Sequence, residues 1–219
     1  LQSVTDFTWY FALEKGIHEK TDWSTGISRL YLALTGDYLY KNPQNLVTFV
    51  DNHDIARWYG HCGEDMTKFK IGIGLLMTSR GIPSLYYGTE VLMKATDGHG
   101  LIREDFWGGW REDSINKFTP QGRTALENTG FNYISMLANF RKNSQALTWG
   151  ELTQFTPKDG VYSFIRHAKN GQKVLVLVNN DKEKTPIVQI SRYEELIAVG
   201  AKVRNLETGQ EFELGTEMT

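Results

Sequence analysis

Residues 46–54 read LVTFVDNHD. The first five, Leu46, Val47, Thr48, Phe49 and Val50, are apolar or β-branched, and no turn former interrupts them. Such a short run is the pattern of a strand covered on both faces, as in a parallel sheet. Four polar residues, Asp51, Asn52, His53 and Asp54, arrive together where that strand is due to end. Polar groups at the C-terminal ends of parallel strands are what an α/β barrel presents at its active-site rim. An imidazole there supplies a hydrogen-bond donor, and a carboxylate supplies acceptors beside a reacting centre.

The neighbouring sequence extends this pattern. Residues 68–79, KFKIGIGLLMTS, read as a buried helix weakened by Gly72 and Gly74. Residues 82–87, IPSLYY, are expected to form another buried strand, with Pro83 tolerable near its start. A strand, helix, strand order implies βα repeats and a parallel sheet. Residues 1–7 form a short β-like segment carrying Asp6. Residues 10–13 and 27–39 carry helical spacing, with Ser24 or Thr25 expected to cap the second. Residues 89–120 are polar, Gly-rich and too long for an ordinary connection, a combination usually found in functional loops. Residues 126–142 read as one long helix with Gly130 weakening its first turn.

Beyond residue 143 the hydrophobic period changes to two. Expected strands span residues 161–167, 173–178, 186–190, 202–206 and 211–214. Asp159-Gly160, Asn170-Gly171 and Thr208-Gly209 mark the turns. The boundary falls near residues 145–150, dividing the chain into 1–146 and an antiparallel β domain over 147–219. The fold class is therefore α/β plus all-β. Only two or three parallel strands precede the boundary, whereas a closed barrel needs eight. The first segment is expected to be part of a larger fold.

Composition bounds the partners. With 40% hydrophobic and 23% charged residues, the 219-residue chain can bury a core. A net charge of -2 gives no electrostatic reason to bind nucleic acid or an anionic membrane. No apolar run approaches the ~18–20 residues of a membrane span, and the opening Leu1-Gln2-Ser3-Val4 shows no signal-peptide pattern. Cys62 is the one cysteine, so no internal disulfide forms.

Phe49-Val-Asp-Asn-His-Asp54, Gly81-Ile-Pro-Ser-Leu-Tyr-Tyr-Gly-Thr-Glu90 and Ser3-Val-Thr-Asp-Phe7 together resemble the alpha-amylase family of glycoside hydrolases. They match segments at the seventh, eighth and sixth strands of that family's barrel. The loop Gly100-Leu-Ile-Arg-Glu-Asp-Phe-Trp-Gly-Gly-Trp110 is similar to that of bacterial cyclomaltodextrinases and neopullulanases. The resemblance implies the C-terminal part of a (β/α)8 TIM barrel followed by a C-terminal β-sandwich, with both ends cut. It implies hydrolysis of α-1,4-glucosidic bonds in maltodextrin, cyclodextrin or pullulan with retention of configuration. A transglycosylase of the same family and a non-catalytic relative used for carbohydrate binding or assembly stay open, as does a sandwich that binds sugar itself.

Residue by residue, Asp54 matches the family's third carboxylate, which stabilises the transition state, and His53 matches the histidine on the same sugar ring. Asn52 either contacts sugar or satisfies backbone groups. Arg57 either pairs with a carboxylate and shapes the site or is a solvated surface residue. Asp97 and Arg103 match the loop residues that hold the sugar next to the cleavage point. Retaining glycosidases need two carboxyl groups about 5–5.5 Å apart. The nucleophile's Gly-Phe-Arg-x-Asp type motif and the proton donor are both missing from this sequence. The polypeptide alone is therefore expected to be inactive, with the N-terminal part of its own protein as a partner beside the α-glucan. The family's calcium site lies upstream, so no metal or other cofactor is assigned to this chain. The loop type leans toward a periplasmic or secreted location.

Other residues carry blander readings. Tyr86 and Tyr87 are read mainly as core, and Glu90 as a salt-bridge partner. Trp107 and Trp110 either stack on sugar or pack under their loop. His61, Cys62 and Glu64 lack metal-ligand spacing. His18, His99 and His167 are read as isolated structural histidines.

Overall fold

The computed structural model describes residues 2–181 and 183–218. Helices α1 (Phe7–Gly16) and α2 (Ser28–Thr35) precede strand β1 (Val47–Phe49). Helices α3 (Trp58–His61) and α4 (Met66–Thr78) lead to β2 (Ile82–Ser84), and α5 (His99–Ile102), α6 (Ala125–Asn143) and α7 (Gln145–Thr148) follow. The remainder is β: β3 (Glu151–Lys158), β4 (Val161–His167), β5 (Lys173–Asn179), β6 (Val188–Gln189), β7 (Lys202–Arg204), β8 (Glu211–Glu213) and β9 (Glu217–Met218).

β1 and β2 pair in parallel, Val47 opposite Ile82 and Phe49 opposite Ser84. Thr5 forms a parallel bridge to the other edge of Val47. Three parallel segments thus stand side by side in chain order, with helices between them. The expected strand at the N-terminus shrinks to this bridge because Asp6 turns the chain into α1, its carboxylate accepting from the Trp9 N–H at 3.0 Å. Residue 1 of that expected strand lies outside the described residues.

β1 is largely buried as expected: Thr48 is inaccessible and Phe49 nearly so, as is Val50 just past its end. The second expected strand is corrected. β2 stops at Ser84, and Ile82 is 48% exposed; no strand among the described residues pairs with its far edge. The expected Ser24 or Thr25 cap is also corrected. α2 starts after Ile27 without a side-chain cap, and the Thr25 hydroxyl donates to the Lys20 carbonyl instead.

Two glycines expected to weaken helices serve packing. In α4, a Cβ on Gly72 would lie 2.1 Å from Trp58 Cζ2, so the indole rests on bare backbone. In α6, a Cβ on Gly130 would lie 2.8 Å from Leu92 Cδ2. Helix α6 also starts with a capping box, Thr124 and Glu127 satisfying each other's backbone N–H.

Strand β4 joins the two halves. Sheet β3-β4-β5 is antiparallel with β4 at its centre. Tyr162 and Phe164 enter a core with Trp9, Trp58 and Phe69 from the helices, while Val161 and Ile165 enter a second core with Ile190, Tyr193 and Leu214. Alternation along a strand sends successive side chains to opposite faces, so one strand serves both cores. Strand β3 was not foreseen; Pro157 and its polar alternation mask it, and the Asp159-Gly160 turn, both residues at positive φ, folds it onto β4. Ladders β6–β9 and β7–β8 complete the β region. Strand β9 was likewise not foreseen. Buried Arg166 of β4 and Arg141 of α6 collect the carbonyls at the end of α4, including Thr78, Met77 and Ser79. A helix C-terminus that water cannot reach needs such donors.

Candidate functional site

The chain leaves β1 through Val50 and turns at once. The Asn52 side-chain oxygen accepts from the Asp54 N–H at 2.8 Å, an Asx turn that bends the chain out of the sheet. This turn presents His53 and Asp54 to solvent, their side chains 62% and 59% exposed. His53 Nε2 lies 3.1 Å from Asp54 Oδ2. The Arg103 guanidinium donates to Asp54 Oδ1 at 2.8 Å and to the His53 carbonyl at 2.9 Å. The structure therefore unites Asn52, His53, Asp54 and Arg103 in one exposed cluster at the C-terminal end of a parallel strand.

Arg57 is fully buried, which corrects the reading of a solvated surface residue. It shapes the site as the other reading expected, but through backbone carbonyls and not through an ion pair with a carboxylate among the described residues. Its Nε donates to the Ile102 carbonyl at 2.8 Å and its Nη1 to the Tyr87 carbonyl. The guanidinium lies over the Tyr86 and Tyr87 rings, 4.1 and 4.6 Å from their centroids. The Tyr87 hydroxyl in turn donates to the Glu104 carbonyl at 2.8 Å. Arg57 and Tyr87 thus grip the backbone on both sides of Arg103. Asp97 does not join the cluster; it is exposed and accepts from the N–H of Gly98 in its own loop.

Asp51, the first of the four polar residues after the strand, was given no role of its own from the sequence. It is buried, and its Oδ2 accepts from the Trp58 N–H at 3.0 Å and the Thr89 hydroxyl at 2.7 Å. Burial pushes its carboxyl up to about 6, against the pull of these hydrogen bonds and of Arg57. The available signal was its place as the first polar residue after the apolar run, still inside the reach of the core.

Trp107 is 41% and Trp110 63% exposed, on a loop whose Gly108 and Trp110 N–H groups donate to Asp113 Oδ2. Glu90 makes no salt bridge among the described residues, which corrects its expected role. His18 is not isolated: its Nε2 is 3.1 Å from His61 Nε2. His167 meets the Thr153 hydroxyl at 3.0 Å. Cys62 is buried, which pushes its thiol up and away from metal-binding thiolate, and Glu64 pairs with Lys94 at 2.6 Å. Among the described residues, no group of three or more His, Cys, Asp or Glu converges as a metal cage would. No helix among them is long and apolar enough to cross a membrane.

Known proteins share both sequence and fold with this chain. Residues 152–219 match the cyclo-malto-dextrinase C-terminal domain family. The alpha-amylase of Niallia circulans is 29% identical over 178 residues, covering 81% of this chain and 30% of that protein. The cyclomaltodextrin glucanotransferase of Thermoanaerobacterium thermosulfurigenes is 29% identical over the same length, covering 81% of this chain and 22% of that protein. The crystal structure of an alpha-amylase from Geobacillus thermoleovorans, complexed with acarbose, has the same fold at a TM-score of 0.77. It is 20% identical and is matched across 100% of this chain and 45% of that one. The chain spans less than a third of the length of these curated relatives.

Proposed function

We propose that this chain, a stretch of an alpha-amylase family protein, supplies the substrate-gripping side of a retaining active site for α-1,4-linked glucans. The observation that carries the reading is the exposed Asp54 carboxylate, oriented by Arg103 and His53 at the end of a buried parallel strand. Glycoside cleavage passes through an oxocarbenium-like state, and hydrogen bonds to ring hydroxyls strengthen as charge develops. Asp54 offers acceptors to those hydroxyls. His53 offers a donor to the same ring. Because Arg103 and the Asx turn of Asn52 hold the carboxylate beforehand, no reorganisation is needed as charge appears.

In this reading, Thr5, β1 and β2 are the sixth to eighth strands of a (β/α)8 barrel, residues 1–146 belong to it, and residues 147–219 form the C-terminal β domain. The nucleophile, the proton donor and any calcium ion belong to sequence outside these 219 residues. The family relatives named for cyclomaltodextrin glucanotransferase activity favour transglycosylation as a second reading. The test is to express the reading frame with its upstream sequence and assay maltodextrin and cyclodextrin. Turnover lost on Asp54→Asn supports the proposal; unchanged turnover overturns it. The 219-residue chain alone is expected to show none, and measurable hydrolysis by it would refute the division of labour.

A further inference from the structure

A cavity of about 350 Å³ opens between the α1–α2 connection and the β3–β4 turn, away from the residues of the Asp54 cluster. Its size falls within the range of small-molecule sites. Trp23 lines it and is 85% exposed, and Tyr31 lines it from α2. Ser28, also in the lining, is buried, and its hydroxyl has no hydrogen-bond partner among the described residues. An unmet buried hydroxyl is uncommon, and a ligand or water hydroxyl would satisfy it. The charges are mixed: Lys20 and Lys184 face Asp22, Asp159 and Asp181. Two ammonium groups among three carboxylates do not suit a phosphate or another anion. They suit a neutral ligand bearing many hydroxyls, which both donates to carboxylates and accepts from ammonium groups.

The walls are well anchored. The Gln154 amide donates to the Tyr31 carbonyl at 3.2 Å, and the Tyr31 hydroxyl lies 3.4 Å from the Thr156 hydroxyl. The Asn180 amide donates to the Gly16 carbonyl at 3.2 Å. The helical and β halves therefore meet here through specific bonds, and Trp23 lines the cavity with most of its surface free.

We propose that this cavity is a second carbohydrate-binding site, with Trp23 as an apolar platform for a pyranose ring and the mixed charges as its hydroxyl partners. The assignment of an α-glucan as its ligand rests on the function proposed above; the assignment of a sugar rests on the cavity itself. The experiment titrates the protein, expressed with its upstream sequence, with maltotriose and, in parallel, with cellotriose, following tryptophan fluorescence and calorimetry. Trp23→Ala, Tyr31→Phe and Asp54→Asn are compared with the parent chain. Maltotriose affinity at this site is expected to fall tenfold or more in Trp23→Ala and to stay within twofold in Asp54→Asn. Because Trp23 is almost wholly exposed, its replacement leaves the fold intact, which circular dichroism checks. Equal binding by the parent and Trp23→Ala, or no binding of either sugar at this site, overturns the cavity site and leaves the Asp54 reading standing. Trp23-dependent binding of cellotriose alone keeps the sugar site and overturns its α-glucan assignment.

Discussion

Arg103 reaches across 49 positions of sequence to donate to Asp54 Oδ1 at 2.8 Å, while its Nε holds the carbonyl of the adjacent His53. The long loop and the strand end are tied together at the two residues proposed to meet substrate. The pair is about half exposed, and an exposed ion pair contributes only about 0–1 kcal/mol to stability. Its value is orientation. Arg103→Lys keeps the charge but loses the planar fork that serves two acceptors. In the protein expressed with its upstream sequence, the proposed α-glucan turnover should show kcat falling about tenfold or more with Tm nearly unchanged, and Asp54→Asn costing about 10²–10³-fold. Steady-state kinetics beside a thermal melt reads both.

Arg57→Ala should behave in the opposite manner. The side chain is buried, and its removal strands the Ile102 and Tyr87 carbonyls beside an empty volume. Each buried acceptor left unsatisfied costs about 1–3 kcal/mol, so the two together cost a few kcal/mol. For a chain of this size that is a fall in Tm of roughly 10 °C. Activity at a temperature where the variant stays folded should fall too, because Arg103 loses support on one side.

Gly72→Ala reverses the usual helix rule. In an exposed helix interior this change stabilises by roughly 1 kcal/mol. Here the new methyl would sit 2.1 Å from the Trp58 ring. Overpacking of that kind costs about 1–3 kcal/mol, so the urea midpoint should drop. A rise in the midpoint would mean that Trp58 does not pack on α4 as described.

Asp51 should make stability depend on pH. Folding raises its carboxyl from the usual 3.8 to about 6, mainly by burial. The folded chain therefore holds a proton that the unfolded chain releases between these values. The resulting stabilisation is complete below about pH 4 and is lost as pH rises through 6. Asp51→Asn keeps an acceptor for the Trp58 N–H without the charge. Between pH 4 and 6.5 its urea midpoint should fall less than that of the parent chain. Parallel curves would remove Asp51 as the source.

The strand β1, helix α4, helix α6 and the turns at Gly160 and Gly171 were legible because each is written in local pattern: an apolar run, a 3.6-residue period or a glycine turn. His53, Asp54 and Arg103 were legible as a set through the family resemblance. Strand β3 escaped because Pro157 and its polar alternation imitate a loop, and its partner across the turn decides its state. Arg57 could be read either as a surface residue or as part of the site, since an arginine's burial depends on what packs over it. Glu90 was misjudged for a similar reason: nothing local says whether a cation stands within reach.

By itself the sequence determined where the chain turns polar after β1, and so which carboxylate stands at the strand's end. Periodicity and turn chemistry act between near neighbours, and they suffice for that. Tertiary structure alone decided that Asp54 meets Arg103, that Arg57 is sealed beneath them, and that Trp23 overlooks a cavity between two halves of the fold. Those facts depend on contacts between residues tens of positions apart, whose distances are set by how the helices and the β4 strand share their cores.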